Sequence, residues 1–187
     1  MIDKKETINI VRVGLILFAI TALAALILAS VNSFTAPIIA ENNKRTQEAA
    51  MREVLPEAES FEKVEFEADS SSCVKEIYSA KDAGVAVKAA PNGYGGEISM
   101  IVGIDADYKV TGVEIISQSE TAGLGANCTK DEFKKQFIGK TDNITVSKSG
   151  AKDNQIDAIS SATITSKAVT KGVNESIATV RKLRGDE

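Results

Sequence analysis

From Val13 to Val31 the chain runs without one charged side chain, and this stretch limits every fold open to it. As a helix rising 1.5 Å per residue it reaches roughly 28 Å, about the thickness of the hydrocarbon layer of a bilayer. A cleavable leader is the alternative, but its apolar region is normally only about 7 to 15 residues long. The reading is therefore an uncleaved transmembrane helix over residues 13–31. Lys4, Lys5 and Arg12 precede the span, whereas no basic residue follows until Lys44 and Arg45. That asymmetry puts residues 1–12 in the cytoplasm. The rest, roughly 155 of the 187 residues, is then extracytoplasmic and has the size of one domain.

The outer part reads as α+β. Residues 32–56 form a stalk that is helical from Ile38 to Leu55, with Ala49, Ala50, Val54 and Leu55 as apolar positions and Pro56 as the stop. Residues 57–187 then make one domain with an antiparallel-rich sheet and flanking helices. Phe61–Phe66, Val74–Tyr78, Val85–Ala89, Ile98–Ile104 and Val110–Ile116 are strand-like. Asp105-Ala106-Asp107 is a hairpin turn between the last two. Lys130–Phe137 is expected as a short helix capped by Thr129, and Ile144–Val146 as another strand. A C-terminal helix closes the domain. In it Val169, Val173, Ile177 and Val180 recur at helical spacing, and Lys171, Glu175, Arg181 and Lys182 fall on the other side.

What the chain lacks narrows its chemistry. With no histidine, a Ser-His-Asp triad, a His-ligated haem and the usual catalytic zinc sites are excluded within it. Cys73 and Cys128 are the two cysteines, too few for the four-thiolate shell of an iron–sulfur cluster. They form either a disulfide or two free buried thiols. A net charge of −4 argues against nucleic-acid binding by bulk electrostatics. No catalytic acid, base or metal ligand is assigned, so any redox chemistry here belongs to a bound organic cofactor.

Asp157-Ala158-Ile159-Ser160-Ser161-Ala162-Thr163 places a threonine among small residues directly before the C-terminal helix. Backbone N–H groups with no intrahelical partner converge at a helix start, and the helix dipole adds partial positive charge, so a phosphate is at home there. The plain alternative is an N-cap, with Thr165 or Ser166 closing the helix through its hydroxyl. Two glycine-rich loops lie upstream, Asn92-Gly93-Tyr94-Gly95-Gly96 and Glu120-Thr121-Ala122-Gly123-Leu124-Gly125. Either is an ordinary turn when taken alone. Glycine also lets backbone approach a flat ligand closely.

The three segments together, in this order, resemble the FMN-binding domain family. That family carries a Gly-Tyr-Gly-Gly loop, a Glu-Thr-x-Gly-Leu-Gly loop and a flavinylation signature of Asp, two variable residues, Ser or Thr, Gly, Ala and Thr. Asp157, Ser160, Ala162 and Thr163 match the signature, and Ser161 stands in the glycine slot. If the backbone there has positive φ, a non-glycine residue costs roughly 1 kcal/mol. The resemblance implies FMN joined by a phosphoester to Thr163, attached by an FAD:protein FMN transferase. It implies a pocket built from Tyr94, Gly95, Gly96, Glu120, Thr121, Gly123, Leu124, Gly125, Asp157, Ser160, Ser161, Ala162, Thr165 and Ser166, with Glu120, Thr121 and Leu124 near the flavin ring. The single span followed by Thr35-Ala36-Pro37 is most similar to the G subunits of Rnf ion-translocating electron transport complexes. These work with other membrane subunits between reduced ferredoxin and NAD. The C subunits of sodium-pumping NADH:quinone oxidoreductases share the architecture in a typically longer chain. A membrane-anchored binding or sensor module without covalent cofactor is the competing class.

Overall fold

The computed structural model describes residues 4–66, 71–81, 83–141 and 143–185. Residues 1–3 of the expected cytoplasmic segment and the Lys4 and Lys5 side chains lie outside that description. The chain divides into two units, Met1–Arg45 and Thr46–Glu187.

The first unit is helix. Helix α1, Lys4–Val54, runs for 51 residues and continues through Pro37 without a break. From Val11 onward it is long and apolar enough to cross a membrane, with Leu15, Phe18, Leu23 and Leu28 among its exposed side chains. Between Val11 and Pro37 the hydroxyls are satisfied within the helix. Thr21, Ser30 and Thr35 donate to the carbonyls of Leu17, Leu26 and Val31 at 3.0, 2.8 and 3.0 Å, so none needs water in an apolar surrounding.

The second unit begins with the last turns of α1 and is built on a five-stranded antiparallel sheet in the order β1 (Glu62–Val64), β2 (Val74–Ala80), β3 (Gly84–Ala89), β4 (Ser99–Ile104), β5 (Val110–Ser117). Each strand pairs with its sequence neighbours, so short connections suffice. The β4–β5 turn is where the sequence puts it. The Asp105 carboxylate accepts from the N–H groups of Asp107 and Lys109, both at 2.9 Å, and Tyr108 takes φ +62°. Beyond the sheet come a 3-10 turn at Gly125–Thr129, the short helix α2 (Asp131–Lys134) continuing as a 3-10 turn, the parallel pair β6 (Thr145–Ser147) and β7 (Gln155–Asp157), and helix α3 (Thr163–Arg184). Thr129 does not cap α2. Lys130 stands at the cap, and the Thr129 hydroxyl turns back to the Ala126 carbonyl.

Both faces of the sheet are covered, which is why β4 reads as a continuous apolar run where a half-exposed strand would alternate. Met100, Val102 and Ile104 join Val87, Ile77, Val113, Phe137, Val169, Val173, Ile177 and Val180 in one core under α3. Ile101 and Ala86 point the other way, toward Ala50, Met51, Val54 and Leu55 at the end of α1. Ala49, expected as an apolar contact, is exposed, and Met51 takes that place. Val54 sits so close to the sheet that only hydrogen fits beneath it. A Cβ at Gly103 would come within 2.9 Å of the Val54 Cβ, and one at Gly112 within 3.1 Å of its Cα. These two glycines are paired across β4 and β5. Thr111 fastens the contact by donating to the Val54 carbonyl at 2.6 Å.

The polar side of α3 is more engaged than its charge pattern predicts. Glu175 accepts from the Cys73 N–H at 2.7 Å and the Ser72 hydroxyl at 3.2 Å. Arg181 stacks 4.5 Å from the centre of the Tyr108 ring. Both cysteines are free and buried. Burial, then the neighbouring Glu175 carboxylate, pushes the Cys73 thiol up to about 12.

Candidate functional site

The three sequence motifs meet at one cavity of about 530 Å³, within the range of small-ligand sites. Its lining is Tyr94 from the first glycine loop, Glu120, Thr121, Leu124 and Gly125 from the second, and Ser161, Ala162, Thr163, Ile164 and Thr165 at the start of α3.

Thr163 is the first residue of α3 and is half-buried. No side chain caps the helix, so neither Thr165 nor Ser166 plays the part an N-cap would give it. The first helical bond runs from the Ser166 N–H to the Ala162 carbonyl at 3.0 Å, which leaves the N–H groups of Thr163, Ile164 and Thr165 to an acceptor from outside the helix. A phosphate suits three such donors at the positive end of a dipole. Ser161 has φ +59°, the left-handed region in which glycine is unstrained. The chain makes that turn with a serine, at a cost in strain. It is this turn that brings Thr163 round to the cavity.

Ser166 lies behind the site. Its hydroxyl donates to the Ala162 carbonyl at 3.0 Å and accepts from the Ile159 N–H at 2.9 Å, tying the turn to the helix. Asp157 is also outside the cavity, on β7. Its carboxylate accepts from the Ala151 N–H at 2.8 Å, and its own N–H donates to Gln136 at 2.6 Å. Ser160 is exposed beyond the lining. The signature thus divides into a distal half, Asp157 and Ser160, and a half in the cavity wall, Ser161 to Thr163.

Glu120 is the joint between the motifs. It is only 8 % exposed. One carboxylate oxygen accepts from the Gly95 N–H at 2.8 Å, and the other accepts from the Thr165 hydroxyl. The glycines follow from this. A Cβ at Gly93 or at Gly125 would collide with the Glu120 carboxylate, and one at Gly95 with the Ser119 carbonyl. The bareness of Gly93 and Gly125 makes room for the Glu120 carboxylate, where the sequence suggested room for the ligand. Gly96 and Gly123 have open space around them and positive φ, +147° and +78°, so they serve the turns. None of Gly95, Gly96 and Gly123 is in the cavity lining. The negative charge of Glu120 is felt nearby at the buried Cys128 thiol, which burial first and Glu120 second push up to about 11.

The cavity mouth is apolar. Tyr94 is 72 %, Ile164 56 % and Leu124 41 % exposed, and all three line this one site. Ile164 escaped the sequence reading. Its signal was an isoleucine on the exposed side of the first turn of α3, between two threonines. A flat apolar ring set among these side chains, with a phosphate at the helix start, fits the cavity's two chemistries.

Residues 93–178, from the first glycine loop into α3, match the FMN-binding domain family, so the class is an FMN-binding domain on an apolar helix. Residues 1–54 match the RnfG N-terminal region. The G subunit of the sodium-translocating ferredoxin:NAD⁺ oxidoreductase complex of Acetobacterium woodii is 41 % identical, over 92 % of each chain. Its proton-translocating counterpart from Clostridium ljungdahlii is 38 % identical over 87 % of each. The G subunit of the ion-translocating oxidoreductase complex of Methanosarcina acetivorans is 34 % identical over 95 % of this chain and 96 % of its own. This chain belongs to the family of G subunits of ion-translocating oxidoreductase (Rnf) complexes. The C subunit of the sodium-translocating NADH-quinone reductase of Parabacteroides distasonis shares the fold, with a TM-score of 0.52 at 24 % identity over 76 % of this chain and 92 % of that one.

Proposed function

We propose that this chain is the membrane-anchored electron-transfer subunit of an Rnf complex, carrying FMN joined by a phosphoester to the Thr163 hydroxyl. The observation that carries the reading is the convergence of all three motifs on one cavity, with Thr163 at the uncapped start of a 22-residue helix. Bound there, the isoalloxazine accepts and releases electrons. The chain's own residues hold and surround it. The N–H groups of Thr163, Ile164 and Thr165 would hold the phosphate, and Leu124, Tyr94 and Ile164 would offer apolar contact to the ring. Ester formation joins the Thr163 oxygen to phosphorus, releases the hydroxyl proton and breaks the phosphoanhydride of FAD with loss of AMP. That step belongs to an FAD:protein FMN transferase.

In the same reading residues 13–31 span the cell membrane and residues 1–12 are cytoplasmic. Residues 32–56 form the stalk, and residues 57–187 bind FMN outside. A flavin held there only by noncovalent contacts would be lost by dilution, and the ester makes it permanent. Other Rnf membrane subunits are the partners. The relatives named for Na⁺ and for protons are 41 % and 38 % identical to this chain. The membrane-anchored FMN reading stands ahead of the NADH:quinone reductase alternative because likeness to that enzyme's C subunit extends to the fold alone.

The test is chemical. Full-length chain co-expressed with the transferase should stay yellow and fluorescent after denaturation, and peptide mass spectrometry should put the FMN mass on Thr163. Thr163→Ala should lose it completely. FMN on Ser160 or Thr165 in that variant would move the acceptor, and no covalent flavin in the parent would favour a noncovalent binding module.

A further inference from the structure

The cavity has a buried carboxylate at its joint, and nothing in flavin attachment requires one there. Both oxygens of Glu120 accept hydrogen bonds, from the Gly95 N–H and the Thr165 hydroxyl. Among the described residues no lysine or arginine pairs with it. Its compensation comes from those donors and from the positive end of α3, because Thr165 sits in the first turn of that helix. Two glycines, Gly93 and Gly125, have given up their side chains around it. A simpler brace was available, since an amide in the same place could also link a backbone N–H to a hydroxyl.

We propose that Glu120 is a positioning residue that sets the potential of the flavin in this cavity, by locking the first glycine loop to α3 and by fixing a negative charge in the wall. The inference rests on the reading of the cavity as the FMN site. A fixed negative charge in a poorly screened wall disfavours electrons arriving beside it, so Glu120 holds the potential down. Thr165 moderates this by donating to the carboxylate. The two residues therefore act in opposite directions, which simple packing would not produce.

Glu120→Gln separates charge from brace. The glutamine oxygen can accept from the Gly95 N–H while its amide donates to the Thr165 oxygen, because a hydroxyl can turn from donor to acceptor. Thr165→Val removes one donor and leaves the carboxylate in place, and Thr165→Ser restores the hydroxyl. The experiment is a redox titration of full-length, flavinylated parent and variants in detergent, after peptide mass spectrometry has verified the attachment. The expected result is a potential shifted upward in Glu120→Gln, downward in Thr165→Val, and at the parent value in Thr165→Ser. In the flavin-free chain, the Gly95 amide should exchange hydrogen faster in Glu120→Ala than in Glu120→Gln.

Potentials equal to the parent in both substitutions, or shifts in the same direction, would overturn the role of Glu120 while leaving the FMN site intact. Equal exchange rates at Gly95 would overturn the brace. Absence of flavin from the parent's Thr163 would instead sink the reading beneath it. If Glu120→Gln fails to fold, the Thr165 pair still decides: a potential unchanged or raised in Thr165→Val overturns the proposal.

Discussion

Leu124 shows how one side chain can report on the whole site. It is a large apolar residue, two-fifths exposed, at the mouth of a cavity whose other wall holds Thr163. If the ring lies against it, Leu124→Glu should lower the flavin potential, because a nearby negative charge disfavours the reduced, negatively charged flavin. Leu124→Lys should raise it, with FMN still attached to Thr163 in both. Redox titration of the two flavinylated variants checks this, and potentials equal to the parent would exclude ring contact by this loop. At this scale the sequence was legible where a motif states a chemical need and silent where folding decides direction. Thr163, Thr121 and Leu124 were readable and line the cavity. So was Glu120, but its tie to Gly95 and Thr165 was not, because a Glu-Thr-x-Gly-Leu-Gly string says nothing of which groups its carboxylate will meet. The strained serine was half-legible: the glycine slot foretold a cost at Ser161, and φ +59° is where it arises.

Among elements, the instructive junction is between the end of α1 and the sheet, where a polar cluster works beside the apolar contact. Gln47 donates to the Tyr78 hydroxyl at 2.7 Å and to Glu76 at 3.2 Å, Tyr78 donates to Glu76 at 2.8 Å, and Lys63 and Lys88 approach the same carboxylate at 3.1 and 3.4 Å. Burial alone would push Glu76 up. The hydrogen bonds from Tyr78 and Lys63, the charge of Lys88 and the bond from Gln47 outweigh it, and bring the group down from 4.5 to about 2. Because the folded-state value lies below the unfolded one, the stabilisation is fully present above about 4.5 and is lost as pH falls through about 2. Urea unfolding of the parent between pH 6 and 2 should therefore lose stability toward acid, and Glu76→Gln should flatten that slope. An equal slope in the variant would mean that other carboxylates govern it. Strands β2 to β5 were legible because apolar runs bounded by turn residues announce them. Strand β7 was not: its three residues, Gln155, Ile156 and Asp157, are too few for a period, and a parallel partner makes them a strand. The 3-10 turn at Gly125–Thr129 was hidden within what read as a loop.

For the whole molecule, the basic residues ahead of the span predict on which side of the membrane the FMN domain stands. Protease added to wall-stripped intact cells should cut beyond residue 40. Cleavage there confined to inverted vesicles would reverse the topology and remove the reason offered for a permanent flavin. The Gly103–Gly112 seat under Val54 has a consequence for how such a protein can be cut apart. The final turns of α1 are one wall of the second unit's interior, so the division between the two units falls within that helix, near Thr46, ahead of the Pro56 at which the helical pattern stops. A water-soluble fragment begun at Glu57 would strip Ala50, Met51, Val54 and Leu55 from the cluster that covers Ala86 and Ile101 and invite self-association. One begun a few residues before Thr46 keeps its lid.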